Sequence, residues 1–192
     1  MLTQASKCSD GQFRELITPF QKLWKKVSAQ LLAIGSPVVM CHNDINEGNI
    51  LINRGKNGSV SDLTLIDFEY SDYNFRGFDL GNLFCETYIC NNAMEEFPYF
   101  TLNYSTRWSG ETLRFFLCNY LESSSLDSSE ENVEKLVFET LAFQCASHVL
   151  WSAWALIQIE TSPIEWAHEE YAKQRLNAFA KTAHDLWKYN LE

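Results

Sequence analysis

Apolar residues at Phe13, Leu16, Ile17, Phe20, Leu23, Trp24, Val27, Leu31 and Leu32 recur at helical spacing and predict a helix over 13–34. Pro19 lies inside this stretch and is expected to kink it or split it in two. Gly35-Ser36-Pro37 ends it, and 38–41 reads as a short buried strand leading into a polar loop over 42–48. Residues 49–53 and 63–66 have strand character, and the turn-rich stretch 54–58 between them makes a hairpin. After Asn74 the pattern turns helical. It predicts helices over 78–88, 111–121 and 132–159, and a last one from Pro163 to about Tyr189. The serine-rich stretch 123–130 is an exposed linker closing with a helix start, and the polar first ten residues are expected to be flexible. There is no internal repeat and no domain boundary. Residues 1–192 read as a single α+β domain, mainly α-helical, with one small hairpin near its start.

The chain has 192 residues, enough to bury roughly 70% of its unfolded surface without disulfide staples. Fifteen Lys and Arg against twenty-five Asp and Glu give a net charge of −10. Such a field disfavours nucleic-acid binding and weakly favours a cationic ligand. Cys8, Cys41, Cys85, Cys90, Cys118 and Cys145 are scattered, with no Cys-x-x-Cys pair. Reduced, buried thiols in a cytoplasmic protein are the better reading. No run of apolar residues approaches the ~20 of a membrane span, and no secretory signal is visible at the N-terminus.

The chemistry concentrates in one stretch. His42, Asp44 and Asn49 flank the start of the hairpin, and Asp67 stands at its far end. Phosphoryl transfer from Mg-ATP needs these parts: one carboxylate to accept or orient a hydroxyl proton, and an amide oxygen plus a second carboxylate to hold Mg²⁺. Asp44 is placed for the first role, and Asn49 and Asp67 for the second. His42 would brace the loop. Taken singly each part is commonplace, since a lone Asp at a strand end is usually a turn or cap residue. The ordered set around a hairpin is not.

The block from Asp67 to Glu86, with Tyr73-Asn74-Phe75-Arg76-Gly77-Phe78-Asp79 and Phe84-Cys85-Glu86 inside it, resembles the signature of the choline/ethanolamine kinase family. The loop from His42-Asn43-Asp44 to Gly48-Asn49-Ile50-Leu51 resembles the catalytic loop of the same family, and the helical segments over 133–180 resemble its C-terminal end. The resemblance implies a protein-kinase-like C-terminal lobe, with the hairpin carrying the catalytic loop. It also implies transfer of the ATP γ-phosphate to the hydroxyl of choline or ethanolamine. His42-Asn43-Asp44 and Ile66-Asp67-Phe68-Glu69 favour choline. By position, Asp44 would be the base, Asn49 and Asp67 the Mg²⁺ ligands, and Glu86 would face the substrate nitrogen. A homodimer is also compatible with the family.

A quaternary ammonium donates no hydrogen bonds, so aromatic faces and a distant carboxylate must recognise it. Trp151 and Trp154 share a helix face, Tyr70 follows Asp67, and Tyr171 lies on the final helix. Two Trp at helical spacing are ordinarily core residues, but with Glu86 and the motif in place the four read as an ammonium cage. Within the motifs, Asn46 stands where the family usually has Gln, Leu83 where it has His, and Asn91 where a pocket Tyr is expected.

Only 41 residues precede His42, with no Gly-x-Gly-x-x-Gly and no β-rich segment to carry a phosphate-binding lysine. The chain therefore reads as a C-terminal lobe lacking the ATP-covering one, with little turnover expected from it alone. The competing reading is a non-catalytic lobe that binds a ligand or a partner protein. An aminoglycoside phosphotransferase shares the core but fits the signature block and the paired Trp less well. A protein kinase is disfavoured by Glu69 after Asp67-Phe68.

Overall fold

The computed structural model describes residues 14–91, 96–164 and 166–189. The stretch expected to be flexible, together with Cys8, lies outside the described residues. Helix α1 (Arg14–Ala33) leads into strand β1 (Val38–Cys41). A loop and a single 3-10 turn (Glu47–Asn49) follow, then strands β2 (Ile50–Arg54) and β3 (Val60–Leu65). A second 3-10 turn (Phe68–Tyr70) and strand β4 (Asp72–Phe75) run directly into helix α2 (Arg76–Glu86). Beyond the short strands β5 (Ile89–Cys90) and β6 (Thr101–Leu102), the rest is helical: α3 (Gly110–Ser123), α4 (Glu130–Thr161) and α5 (His168–Tyr189). Pro19 is accommodated within α1, so the predicted split does not occur.

The strands form three separate antiparallel pairs, β1–β4, β2–β3 and β5–β6. The β2–β3 pair is the predicted hairpin, in register from Ile50 opposite Leu65 to Asn53 opposite Asp62. β1 forms as predicted, but it is not buried. Val38 is 59% and Met40 63% exposed, and only Cys41 is enclosed. The cause is its partner: β4 alone pairs with it, so it lies in a two-stranded ribbon with no covering sheet. The last helix starts at His168 and not at Pro163. The intervening chain turns instead, with Ser162 Oγ accepting from the Ile164 N–H at 3.2 Å.

The core is organised by α4, which contributes buried side chains to three apolar clusters. From Leu136 to Gln158 none of its residues is exposed, as expected of a helix with neighbours on every side. By length and composition this helix could cross a membrane, contrary to the expectation of no such segment. Yet 72% of its apolar window is buried inside the fold, which makes it a core helix. Helix α2 lies directly on it. A Cβ on Gly77 would sit 2.5 Å from the Phe143 ring, and one on Gly81 would sit 2.8 Å from the Phe143 backbone carbon. Only glycine permits that approach. The start of α2 is fixed by Arg76, which pairs with Glu139 of α4 at 2.6 Å, and by Ser36, which donates to Glu139 at 2.7 Å.

Candidate active site

The polar loop after β1 is held from three directions. The Asp79 carboxylate, in the first turn of α2, accepts from the backbone N–H groups of His42 and Asn43, each at 2.7 Å. Asn43 adopts a left-handed conformation (φ 67°); its side chain donates to Tyr70 O and accepts from Asn74 Nδ2, both at 2.9 Å. His42 Nε2 lies 2.9 Å from Ile66 O, while its Nδ1 accepts from the Asp44 N–H at 3.3 Å. A carbonyl only accepts and an amide N–H only donates, so the ring carries its proton on Nε2. His42 is thus a brace between the loop and the end of the hairpin, as the sequence suggests.

Asp44 projects from this braced loop with both carboxylate oxygens engaged. Asn46 Nδ2 donates to Oδ1 at 3.0 Å, and Asn49 Nδ2 donates to Oδ2 at 2.9 Å. Burial raises its pKa, and the nearby Asp67 charge pushes the same way, against the lowering pull of the two amides. Asn49 spends its amide N–H₂ on Asp44, which leaves the oxygen at the other end of the amide. Asp67 is exposed, left-handed (φ 62°) and without a side-chain partner among the described residues. A non-glycine residue held there carries strain of about 1–3 kcal/mol, of the kind found at functional positions.

An amide oxygen and a carboxylate are hard donors of the type Mg²⁺ takes. Among the described residues no group of three His, Cys, Asp or Glu could hold a metal on its own.

Beside the loop stands a wall of aromatic rings. Tyr70 meets Trp151 edge-on at 5.7 Å, and Trp151 meets Trp154 edge-on at the same distance. Trp154 Nε1 donates to the Tyr70 hydroxyl at 3.1 Å. The wall continues through His168 and Trp166 to Tyr171. The structure therefore brings Tyr70, Trp151 and Trp154 together, with Tyr171 farther along. Glu86 is not a free carboxylate. Arg175 Nη1 donates to its Oε1 at 3.3 Å and Asn91 Nδ2 to its Oε2 at 3.2 Å. Burial still pushes Glu86 up to about 7, against the opposing pull of Arg175.

Sequence reasoning missed the residues that join these parts. Asn82, fully enclosed, donates to Ile45 O in the loop at 3.2 Å, and its Oδ1 accepts from Trp151 Nε1 and Ser147 Oγ, both at 2.8 Å. Ser147 Oγ in turn accepts from Arg175 Nη2 at 2.7 Å. Loop, aromatic wall and the Glu86–Arg175 pair thus share one polar network. Arg175 was detectable: it falls on the apolar face of α5 with Tyr171, Ala172, Leu176 and Phe179, where a charge demands a partner.

A mainly helical body with a hairpin-borne loop of Asp, Asn and Asp fits the protein-kinase-like fold. Comparison with known proteins makes this specific. The choline/ethanolamine kinase family profile matches residues 3–180. Choline kinase alpha of Mus musculus is 43% identical over 152 residues, covering 75% of this chain and 33% of that protein. The choline/ethanolamine kinase of Homo sapiens is 37% identical over 150 residues, covering 75% and 38%. The solved structure of a Plasmodium vivax ethanolamine kinase superposes with a TM-score of 0.73 at 27% identity, over 93% of this chain and 45% of that one. The choline kinase of Cryptosporidium parvum gives 0.74 at 24% identity, over 93% and 51%, a likeness of fold. The chain belongs to the choline/ethanolamine kinase family. It spans 33% and 38% of the two curated relatives named here.

Proposed function

We propose that this chain supplies the base, the metal-holding groups and the alcohol pocket for transfer of the ATP γ-phosphate to the hydroxyl of choline or ethanolamine. The observation that carries the reading is Asn82, which ties the loop bearing Asp44 and the wall bearing Trp151 to one support. An amino alcohol with its nitrogen against the wall would then offer its hydroxyl toward Asp44.

Asp44 would accept or orient the hydroxyl proton, and the rise in its pKa on burial makes it a better acceptor than an exposed carboxylate. Asn46 and Asn49 fix the carboxylate in one orientation. Asn49 and Asp67 would hold Mg²⁺, which when bound neutralises charge on the transferred phosphate. Because Arg175 already faces Glu86, recognition of the nitrogen falls mainly on the aromatic faces, which suits a trimethylammonium group. Free cysteines at Cys41, Cys85, Cys118 and Cys145 suit the cytoplasm. A lobe that merely binds a ligand or protein is the weaker reading, since Asp44, Asn49 and Asp67 are all present and the first two are held to each other by a hydrogen bond.

Isothermal titration with choline and ethanolamine tests the pocket. Trp154→Ala, at a half-buried position, is expected to weaken binding by about 0.5–2 kcal/mol. A folded chain that binds neither amino alcohol would overturn the proposal.

A further inference from the structure

A cavity of about 880 Å³ lies between the end of α2, the start of α3, and helices α4 and α5. None of the residues assigned above to phosphoryl transfer or to the aromatic wall lines it. Its volume is that of an ordinary small-molecule site. The floor is aromatic, from Phe84, Tyr88 and Trp108, and the rim carries two exposed cations, Arg107 and Lys181.

Among the described residues these cations have no ionic partner. The Arg107 guanidinium carbon stands 4.8 Å from the centre of the Phe84 ring, and the Lys181 ammonium 4.9 Å from the centre of the Tyr104 ring. Neither pairs with a carboxylate among the described residues. The other charged groups lining the cavity are Arg114 and Glu134, which pair with each other, and Asp185, which is 3.6 Å from His184 Nδ1. The lining thus has a positive excess in a chain of net charge −10. A cationic amino alcohol would be repelled here, so this is not a second copy of the pocket above. An anion could take the planar donor fork of Arg107 and the ammonium of Lys181 together, while an apolar body lay on the aromatic floor.

We propose that this cavity binds a small amphipathic anion, a phosphate or carboxylate on an apolar body, with its charge between Arg107 and Lys181. The proposal does not depend on phosphoryl transfer by the chain. Isothermal titration with monomeric decyl phosphate and decanoate tests it, with decanol as the uncharged control and vesicles of an anionic phospholipid as the membrane-borne form. The expected result is saturable binding of an anionic amphiphile to one site, at least tenfold weaker for decanol. The Arg107→Ala/Lys181→Ala double variant should lose at least tenfold, and Arg107→Lys/Lys181→Arg should recover part of it. Both side chains are exposed, so the variants should fold, which circular dichroism checks. Absence of binding, equal binding of decanol, or binding indifferent to the double variant would overturn the proposal. So would capture of the vesicles alone, which would make the surface a membrane contact.

Discussion

Asp44 and Asn49 form one unit: a single amide steadies the candidate base with its nitrogen end and leaves its oxygen end for the proposed metal. Asp44→Asn retains the shape of the side chain but cannot accept the proton. On the proposed function, the phosphoryl transfer to choline or ethanolamine that this chain supports should fall by about 10²–10⁴-fold while circular dichroism stays unchanged. An Asp44→Asn protein that kept full transfer rates would remove Asp44 from the chemistry.

At the level of elements, the site depends on how closely α2 lies on α4. Gly81→Ala gains up to about 1 kcal/mol of helix propensity. It also drives a methyl group against the Phe143 backbone, which cannot rotate away. The clash should win, with urea unfolding showing a net loss of about 1–3 kcal/mol. An increase in stability would mean that the two helices separate without cost. Much of this layer was legible beforehand. The hairpin stood out through two apolar runs around a turn, and the five helices of the described residues through their apolar patterns. Strand β4 was not, because Asp72-Tyr73-Asn74-Phe75 has no continuous apolar run and is fixed by pairing with β1. β5 and β6 span two residues each, too short for any period to show. In the site, Asp44, Asn49 and Asp67 were legible because they flank one hairpin. The partner of Glu86 was not, because Arg175 lies 89 residues away and meets it only through the packing of α5 on α4.

For the whole molecule, Glu86 ties stability to pH. Burial holds it at about 7 in the fold, above the ordinary 4.5, so between these values the fold keeps a proton that the unfolded chain has released. Its contribution to stability is full below pH 4.5 and is lost as pH rises through 7. Urea unfolding from pH 4.5 to 8 should show the unaltered protein losing stability relative to Glu86→Gln over this window. Parallel curves would show that Arg175 fully offsets the burial of the charge.

The core helix α4 sets the spacing of the entire arrangement. Along it, Glu139 holds Arg76, Phe143 lies under the glycines of α2, Ser147 and Trp151 meet Asn82, and Trp154 meets Tyr70. Each contact tolerates or refuses a substitution by itself. Deleting or inserting one residue upstream of Ser147 is different, because it turns everything beyond it by roughly 100° about the helix axis. Descendants of this chain are therefore freer to change the letters between Glu139 and Trp154 than to change how many there are.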